Sequence, residues 1–362
     1  MRKLIFNIHL YLALAAAAFV ILMGITGSIM AFEPEIDRLL HRKLVYVTPG
    51  TNKLSFAEVS VIAAKAVPGE GIEGYAPSTA PNLSASVLME SHAVYVNPYT
   101  GQVLGTRGDQ PEFLDYVHQL HLRLAWRRDG DPGKKIMSWA GVAMLLLLVS
   151  GLVLWWPTKR ISIRRDARGR PFWFDLHNAV GIFSLVFLLI LSITGIMIGF
   201  ERTTTPLLYK LTGSKPSAAP KVPPPPPGAQ RIPVDQALDV ARNALPCTTA
   251  FLIIMPNPKG AYQVRLRYPE DLTPGGRSRV IVDQYSGRVL YAESSRTAPA
   301  GTRAVTANRA IHTGDILGIP SKIVMSVASL ALVLQAASGL LMWWKRIGGK
   351  SRSKSLAART AG

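Results

Sequence analysis

Four stretches of the chain are apolar for long enough to cross a lipid bilayer: roughly Leu10–Phe32, Ile136–Trp156, Ala179–Phe200 and Ile323–Trp344. A helix needs about 20 apolar residues to span the hydrocarbon core. Between the first and second stretches, and again between the third and fourth, the pattern changes. Each long intervening segment opens with a helical apolar period, LSFAEVSVIAAKAV at 54–67 and IPVDQALDVARNAL at 232–245. Alternating apolar and polar residues follow, as in SASVLME, HAVYVN, AYQVRLRYP and RVIVDQ, the signature of half-buried strands. Tyr-Thr-Gly and Tyr-Ser-Gly then supply the glycine that a tight hairpin needs. The pattern predicts a membrane α-helical protein with four transmembrane helices and two small α+β domains outside the bilayer.

The same elements occur twice. ITGSIMAFE at 25–33 returns as ITGIMIGFE at 193–201, VYVNPYTGQVLG at 94–105 as VIVDQYSGRVLY at 280–291, and SGLVLWW at 150–156 as SGLLMWW at 338–344. The offset grows from 168 to 186 and 188, which locates an insertion of about 18 residues, matched by KPSAAPKVPPPPPGAQ at 215–230. Consecutive prolines favour a stiff polyproline II spacer. The plan is therefore two parallel helix–domain–helix repeats. The expected segments are helix 1 within 1–32, an outer segment 33–135 with a small domain at about 53–107, helix 2 at 136–156 and a loop at 157–176. Helix 3 at 177–200, an outer segment 201–322 with a second small domain at about 232–291, helix 4 at 323–344 and a tail at 345–362 complete the chain.

Charge sets the orientation. The formal net charge is +19, and much of it sits beside the apolar stretches: Arg2 and Lys3, the loop KRISIRRDARGR at 159–170, and the tail KRIGGKSRSKSLAART at 345–360. Basic residues near helix ends mark the cytoplasmic side. Both termini are thus expected in the cytoplasm and the two long segments outside, in the periplasm of a bacterial inner membrane. Because the charge is explained by topology, no nucleic-acid partner is expected; membrane lipid is. The first stretch follows a short basic start, as a secretory signal does, but its twin at 179–200 is internal and marks it as a retained span. The single cysteine, Cys247, excludes an intramolecular disulfide framework and cysteine-ligated metal clusters.

Ser55-Phe-Ala-Glu-Val with Val96-Asn-Pro-Tyr-Thr-Gly-Gln-Val resembles a PepSY domain, as does Val234-Asp-Gln-Ala-Leu with Val282-Asp-Gln-Tyr-Ser-Gly-Arg-Val. The ITG…FE and SGL…WW helices and Ile311-His-Thr-Gly-Asp are similar to the PepSY-associated transmembrane family of iron-regulated inner-membrane proteins. The resemblance covers nearly the whole chain. It implies relatives that are haem-containing reductases of ferric siderophores, ferrioxamine-type reductases among them.

The histidines are the candidate chemistry. His9 and His177 each stand sixteen residues before an ITG motif, in equivalent register near the cytoplasmic start of a span. Packed in one bundle, their rings can converge on an interior site, where two neutral imidazoles would hold haem iron in a six-coordinate state suited to electron transfer. His312, before the fourth span, has its counterpart in VHQLHLRL, and loop arithmetic favours His121 over His118: the offsets are 191 and 194 against 186 and 188 for the flanking motifs. His121 and His312 are thus the expected ligands of a second, periplasmic-side haem. His118 shares a helical face with His121 and is an alternative ligand, a proton donor or a substrate contact. His41 and His92 have no counterparts and read as ordinary exposed residues. Thr26-Gly27 and Thr194-Gly195 read first as close-packing residues, the Trp155-Trp156 and Trp343-Trp344 pairs as an aromatic belt, and Arg123 and Arg170 as partners for haem propionates.

No P-loop or HExxH motif occurs, and no CxxCH. Two haem b groups are therefore expected, with electrons arriving from a cytoplasmic reductase or a quinol. The leading expectation is a ferric-siderophore reductase, with Arg265, Arg267, Arg277 and Arg279 available to an anionic chelate. The alternatives are a PepSY peptide- or protein-binding membrane scaffold and an iron or siderophore transporter. The proline-rich linker would also permit a homodimer by domain exchange.

Overall fold

The computed structural model describes residues 1–360 apart from 109, 127, 160, 165, 167, 219 and 258, with backbone alone for 348–360. The loop arginines 160 and 165 and the basic tail side chains from Lys350 onward therefore lie outside the described residues. In chain order the first elements are α1 (Arg2–Met30), α2 (Glu33–Leu40), α3 (Arg42–Val45), α4 (Phe56–Ala66), β1 (Ile72–Ala76), β2 (Ala85–Met89), β3 (His92–Val96) and β4 (Val103–Gly108). Next come α5 (Phe113–Arg123), α6 (Pro132–Trp155), α7 (Arg170–Gly199), α8 (Glu201–Leu211) and α9 (Val234–Ala244). The chain closes with β5 (Thr249–Ile254), β6 (Tyr262–Arg267), β7 (Ser278–Val282), β8 (Val289–Glu293), α10 (Ala300–Thr313) and α11 (Ile319–Thr360). The chain divides into two compact units, a helical one (Met1–Glu33, Glu112–Thr205, Asn308–Gly362) and a sheet-bearing one (Pro34–Pro111, Pro206–Ala307).

In the helical unit, α1, α6, α7 and the Ile319–Ile347 part of α11 are long and apolar enough to cross a membrane. α1 and α7 each pack on both α6 and α11, so they occupy opposite corners of a four-helix bundle. Val20, Met144, Leu188 and Leu332 fill its middle. Close approach depends on small residues: a Cβ on Gly24 would lie 2.7 Å from the Ser329 carbonyl oxygen of α11. Serine and threonine hydroxyls inside the helices donate to carbonyls four residues back, as Ser138 does to Lys134 (2.7 Å) and Ser184 to Val180 (2.7 Å). Such back-bonding satisfies a hydroxyl where no water is present.

α6 begins at Pro132, and the Asp131 carboxylate accepts from the Lys134 amide at 3.3 Å, a proline-plus-acid helix start. α5 packs on α1 and α6. It ends in two left-handed residues, Leu124 (φ 57°) and Ala125 (φ 52°). The chain then returns so closely that a Cβ on Gly133 would sit 1.9 Å from the Arg123 carbonyl oxygen. Only glycine fits there, and the turn fixes where α5 stands on the bundle.

In the sheet-bearing unit, eight antiparallel strands run in the order β4-β3-β2-β1-β5-β6-β7-β8. The sequence pattern leads to two small domains, each too short to be robust apart and expected to pack on the other or on the membrane-facing loops. The β1–β5 pairing, Gly74 with Ile254 and Tyr75 with Ile253, joins them into one sheet. α4 and α9 contribute Val59, Ala63, Ala237, Leu238 and Ala241 to a single apolar cluster with Val87, Val94, Ile253, Val264 and Val280. A segment of about 60 residues buries too little surface to be robust alone; merging two solves that. The Asp235 carboxylate of α9 also caps α4, accepting from the Phe56 amide at 2.9 and 3.1 Å. The two Tyr-x-Gly turns are alike. Asn97 Oδ1 accepts from Tyr99 N (3.0 Å) and Asp283 Oδ1 from Tyr285 N (3.0 Å), with Gly101 and Gly287 at φ 74° and 70°. His41 and His92 are not simply exposed: each is half-buried, His41 against Asp37 and His92 against Glu70.

Candidate cofactor sites in the helix bundle

His9 faces inward from the second turn of α1 and His177 from the second turn of α7. Both line one cavity of ≈ 610 Å³ inside the bundle, within the usual range for a cofactor pocket. Its walls are apolar, with Leu14, Leu148, Leu185 and Leu340 among them, and one end carries Arg2, Lys3, Arg170 and Arg346. Trp155 and Trp343 line the cavity, and Trp156, Trp343 and Trp344 are exposed.

The other two rings meet at the far end of α1 and α7. His121 comes from α5 and His312 from α10; their ring centroids lie 6.4 Å apart with planes inclined at 52°. Both rings are held largely out of solvent. Burial, with smaller contributions from His312 and His118, draws His121 down to about 3. Burial, helped by Arg309 and opposed by the Leu191 carbonyl, draws His312 down to about 4. These imidazoles are neutral at physiological pH and so able to ligate.

All four rings are seated alike. His9 Nδ1 lies 2.9 Å from Ser150 Oγ and His177 Nδ1 2.9 Å from Ser338 Oγ. His121 Nδ1 lies 2.9 Å from Thr26 Oγ1 and His312 Nδ1 2.9 Å from Thr194 Oγ1. The residue after each hydroxyl is glycine, and the ring Cε1 rests over it. A Cβ would lie 3.3 Å from that carbon at Gly27, 3.0 Å at Gly195, 3.4 Å at Gly151 and 3.8 Å at Gly339. No Nε2 of the four is hydrogen-bonded among the described residues. On both α1 and α7 the hydroxyl that seats a far-end ring stands seventeen residues after the near-end histidine, about 26 Å along a helix.

Do these residues suit an iron porphyrin? Two imidazole nitrogens each about 2.0–2.1 Å from one metal ion would leave their ring centroids at most about 6 Å apart. The His121–His312 pair is at that separation. The cavity of His9 and His177 joins two open imidazole nitrogens, apolar walls and a cationic end, the set that a flat apolar group with carboxylate arms calls for. The cavity residues fit the group at the His9–His177 end, and the ring separation suits it at the His121–His312 end.

His118 stands apart from these pairs. Its Nδ1 hydrogen-bonds to both Glu33 carboxylate oxygens, at 3.2 and 3.1 Å. That bond raises its pKa, against a smaller opposing effect of burial. Arg170 lines the cavity, but Arg123 pairs with Asp131 at 3.3 Å. The roles of Thr26, Ser150, Thr194 and Ser338 are not evident from packing rules. Their one signal in the sequence is that a hydroxyl–glycine dipeptide recurs in all four spans.

Comparison with known proteins agrees with this architecture. The family model described as PepSY-associated TM region matches residues 6–346. An uncharacterized protein of Pseudomonas aeruginosa is 34% identical over 142 residues, a match that covers 36% of this chain and 33% of that protein.

Proposed function

The chain belongs to the PepSY-associated transmembrane family, and from that premise we propose that it is a di-haem electron carrier reducing siderophore-bound ferric iron. The observation that supports this most is the pair of two-imidazole sites at opposite ends of one apolar bundle. His9 and His177 would hold one haem b, and His121 and His312 the second. A haem held by such a histidine pair would supply one-electron exchange.

The chain's own residues do the rest. Arg2, Lys3, Arg170 and Arg346 would neutralise anionic arms at the cavity end. Leu188 and the residues around it keep water out between the two levels. Basic residues beside the spans would put the His9–His177 end on the cytoplasmic side of a bacterial inner membrane, where a reductase or quinol delivers electrons. The His121–His312 end and the long segments would then face the periplasm. The likeness of the two halves is read as two parallel helix–domain–helix repeats, which accounts for ligands arriving in pairs. A ferric chelate that accepts one electron there yields ferrous iron and the intact chelator. Ferrous iron binds hard oxygen donors far more weakly, so the metal is released without a nucleophile or general base.

The test is spectroscopic and chemical. Protein purified in mild detergent should bind two haems per chain and give split α and β bands after dithionite. Mixing the reduced protein with ferric siderophores should reoxidise it, with ferrous iron trapped by a ferrous-specific chelator. A colourless preparation defeats this reading and leaves a membrane-tethered binding scaffold. A coloured one that no ferric chelate reoxidises removes the reductase half of it.

A further inference from the structure

Four hydroxyls, Thr26, Ser150, Thr194 and Ser338, touch four imidazoles at the same distance, and each has one proton to give. Where that proton goes can be followed. Thr26 Oγ1 lies 2.6 Å from the Leu22 carbonyl, Ser150 Oγ 2.7 Å from Leu146, Thr194 Oγ1 2.6 Å from Ile190 and Ser338 Oγ 2.6 Å from Leu334. Three of them have a second carbonyl, three residues back, at 3.1–3.2 Å. Each hydroxyl therefore donates to its own helix and turns its lone pairs to the ring. An imidazole nitrogen facing a lone pair must carry the hydrogen, so Nδ1 is the donor in all four. The other nitrogen is then the bare one. The opposite tautomer would put a hydrogen on Nε2, which has no acceptor among the described residues, and would set two lone pairs against each other at Nδ1.

We infer that these four hydroxyls are positioning residues that lock each histidine into the Nδ1–H tautomer and present Nε2 as the ligand atom. The inference rests on the haem reading above and adds the part of it that no ligand motif contains. It also carries an electronic consequence. A hydroxyl whose proton is committed to a carbonyl accepts from Nδ1–H only moderately. The imidazole is made somewhat more basic, without the strong push that a carboxylate partner gives.

The experiment compares Thr194→Val with Thr194→Ser. Valine keeps the shape and removes the acceptor; serine keeps the acceptor and removes a methyl. The readouts are haem per chain, the rate of haem transfer to an apoprotein acceptor, the g values of the two low-spin ferric signals and the two midpoint potentials. Thr194→Val should speed haem loss from the His121–His312 site by roughly 10–100-fold, the usual cost of an outer-shell partner. It should also shift that site's g values and raise its potential, because the ligand becomes less basic. Thr194→Ser should restore all of these. The signal of the His9–His177 site should not move in either variant, which shows that the bundle is folded. Ser338→Val should do the reverse, moving only the His9–His177 site. If wild type binds two haems and Thr194→Val matches it in loss rate, g values and potential, the positioning role is wrong while the haem reading stands. If wild type binds none, the haem reading has failed first.

Discussion

The two ends of the helix bundle solve one problem with different materials. At the His9–His177 end both rings ride on spanning helices, their seats are serines, and the glycines beneath them leave ordinary van der Waals room at 3.4 and 3.8 Å. A cavity of ≈ 610 Å³ already stands between the helices. At the His121–His312 end the rings come from α5 and α10, which do not span. Their seats are threonines, and the glycines are tight at 3.3 and 3.0 Å. The first end is assembled when the four spanning helices pack. The second exists only after two further helices dock, so its precision depends on tight contacts. The difference predicts that the ends will tolerate damage unequally.

The largest effect should come from the proposed ligands. His312→Ala should remove one haem per chain outright, read by the pyridine haemochrome assay. His177→Ala should keep part of its pigment in a high-spin, five-coordinate state, because the cavity is already formed. Equal, complete loss in both variants would erase the contrast.

Next are the glycines. Gly195→Ala and Gly27→Ala each push a methyl against an imidazole edge in a packed interior, where misfit costs about 1–3 kcal/mol. They should broaden or shift the His121–His312 spectrum, whereas Gly151→Ala and Gly339→Ala should leave the His9–His177 spectrum close to wild type.

A smaller effect is expected from the cationic end of the cavity. Arg170→Gln or Arg346→Gln should speed haem loss from the His9–His177 site severalfold, less so at high salt, since partly solvated charges are screened. The other site should be indifferent.

The smallest concerns His118. With Glu33 beside it, its pKa lies above the ordinary value of about 6.5. The pair therefore contributes stability that is complete below that ordinary value and is lost as pH rises through the raised one. Glu33→Gln should return the ring to ordinary titration, followed by NMR of its ring protons. Both haem spectra should stay unchanged, because the proposed sites leave His118 to Glu33.

Much of this organisation is local and therefore readable along the chain. Four apolar stretches become four long helices because length and composition decide whether a segment suits a bilayer. YQVRLR becomes β6, with its apolar residues buried and its polar ones exposed, because side chains alternate in a strand. Asn97 and Asp283 begin matching turns because an Asx side chain followed by a left-handed glycine closes a hairpin. The equal spacing in α1 and α7 marks two rings for one level of the bundle.

The rest depends on residues that are distant in sequence. Each imidazole and its hydroxyl are separated by 95 to 161 positions, and no periodicity connects them. Thr26 and Thr194 look like packing residues until α5 and α10 bring rings against them. Loop arithmetic favours His121 over His118; the fold sets His121 beside His312 and gives His118 to Glu33. The same is true of the two α+β segments, which pattern alone separates and the β1–β5 pairing joins. Periodicity reports which face of an element will be buried. What it will be buried against is decided only when all the elements compete for the same contacts.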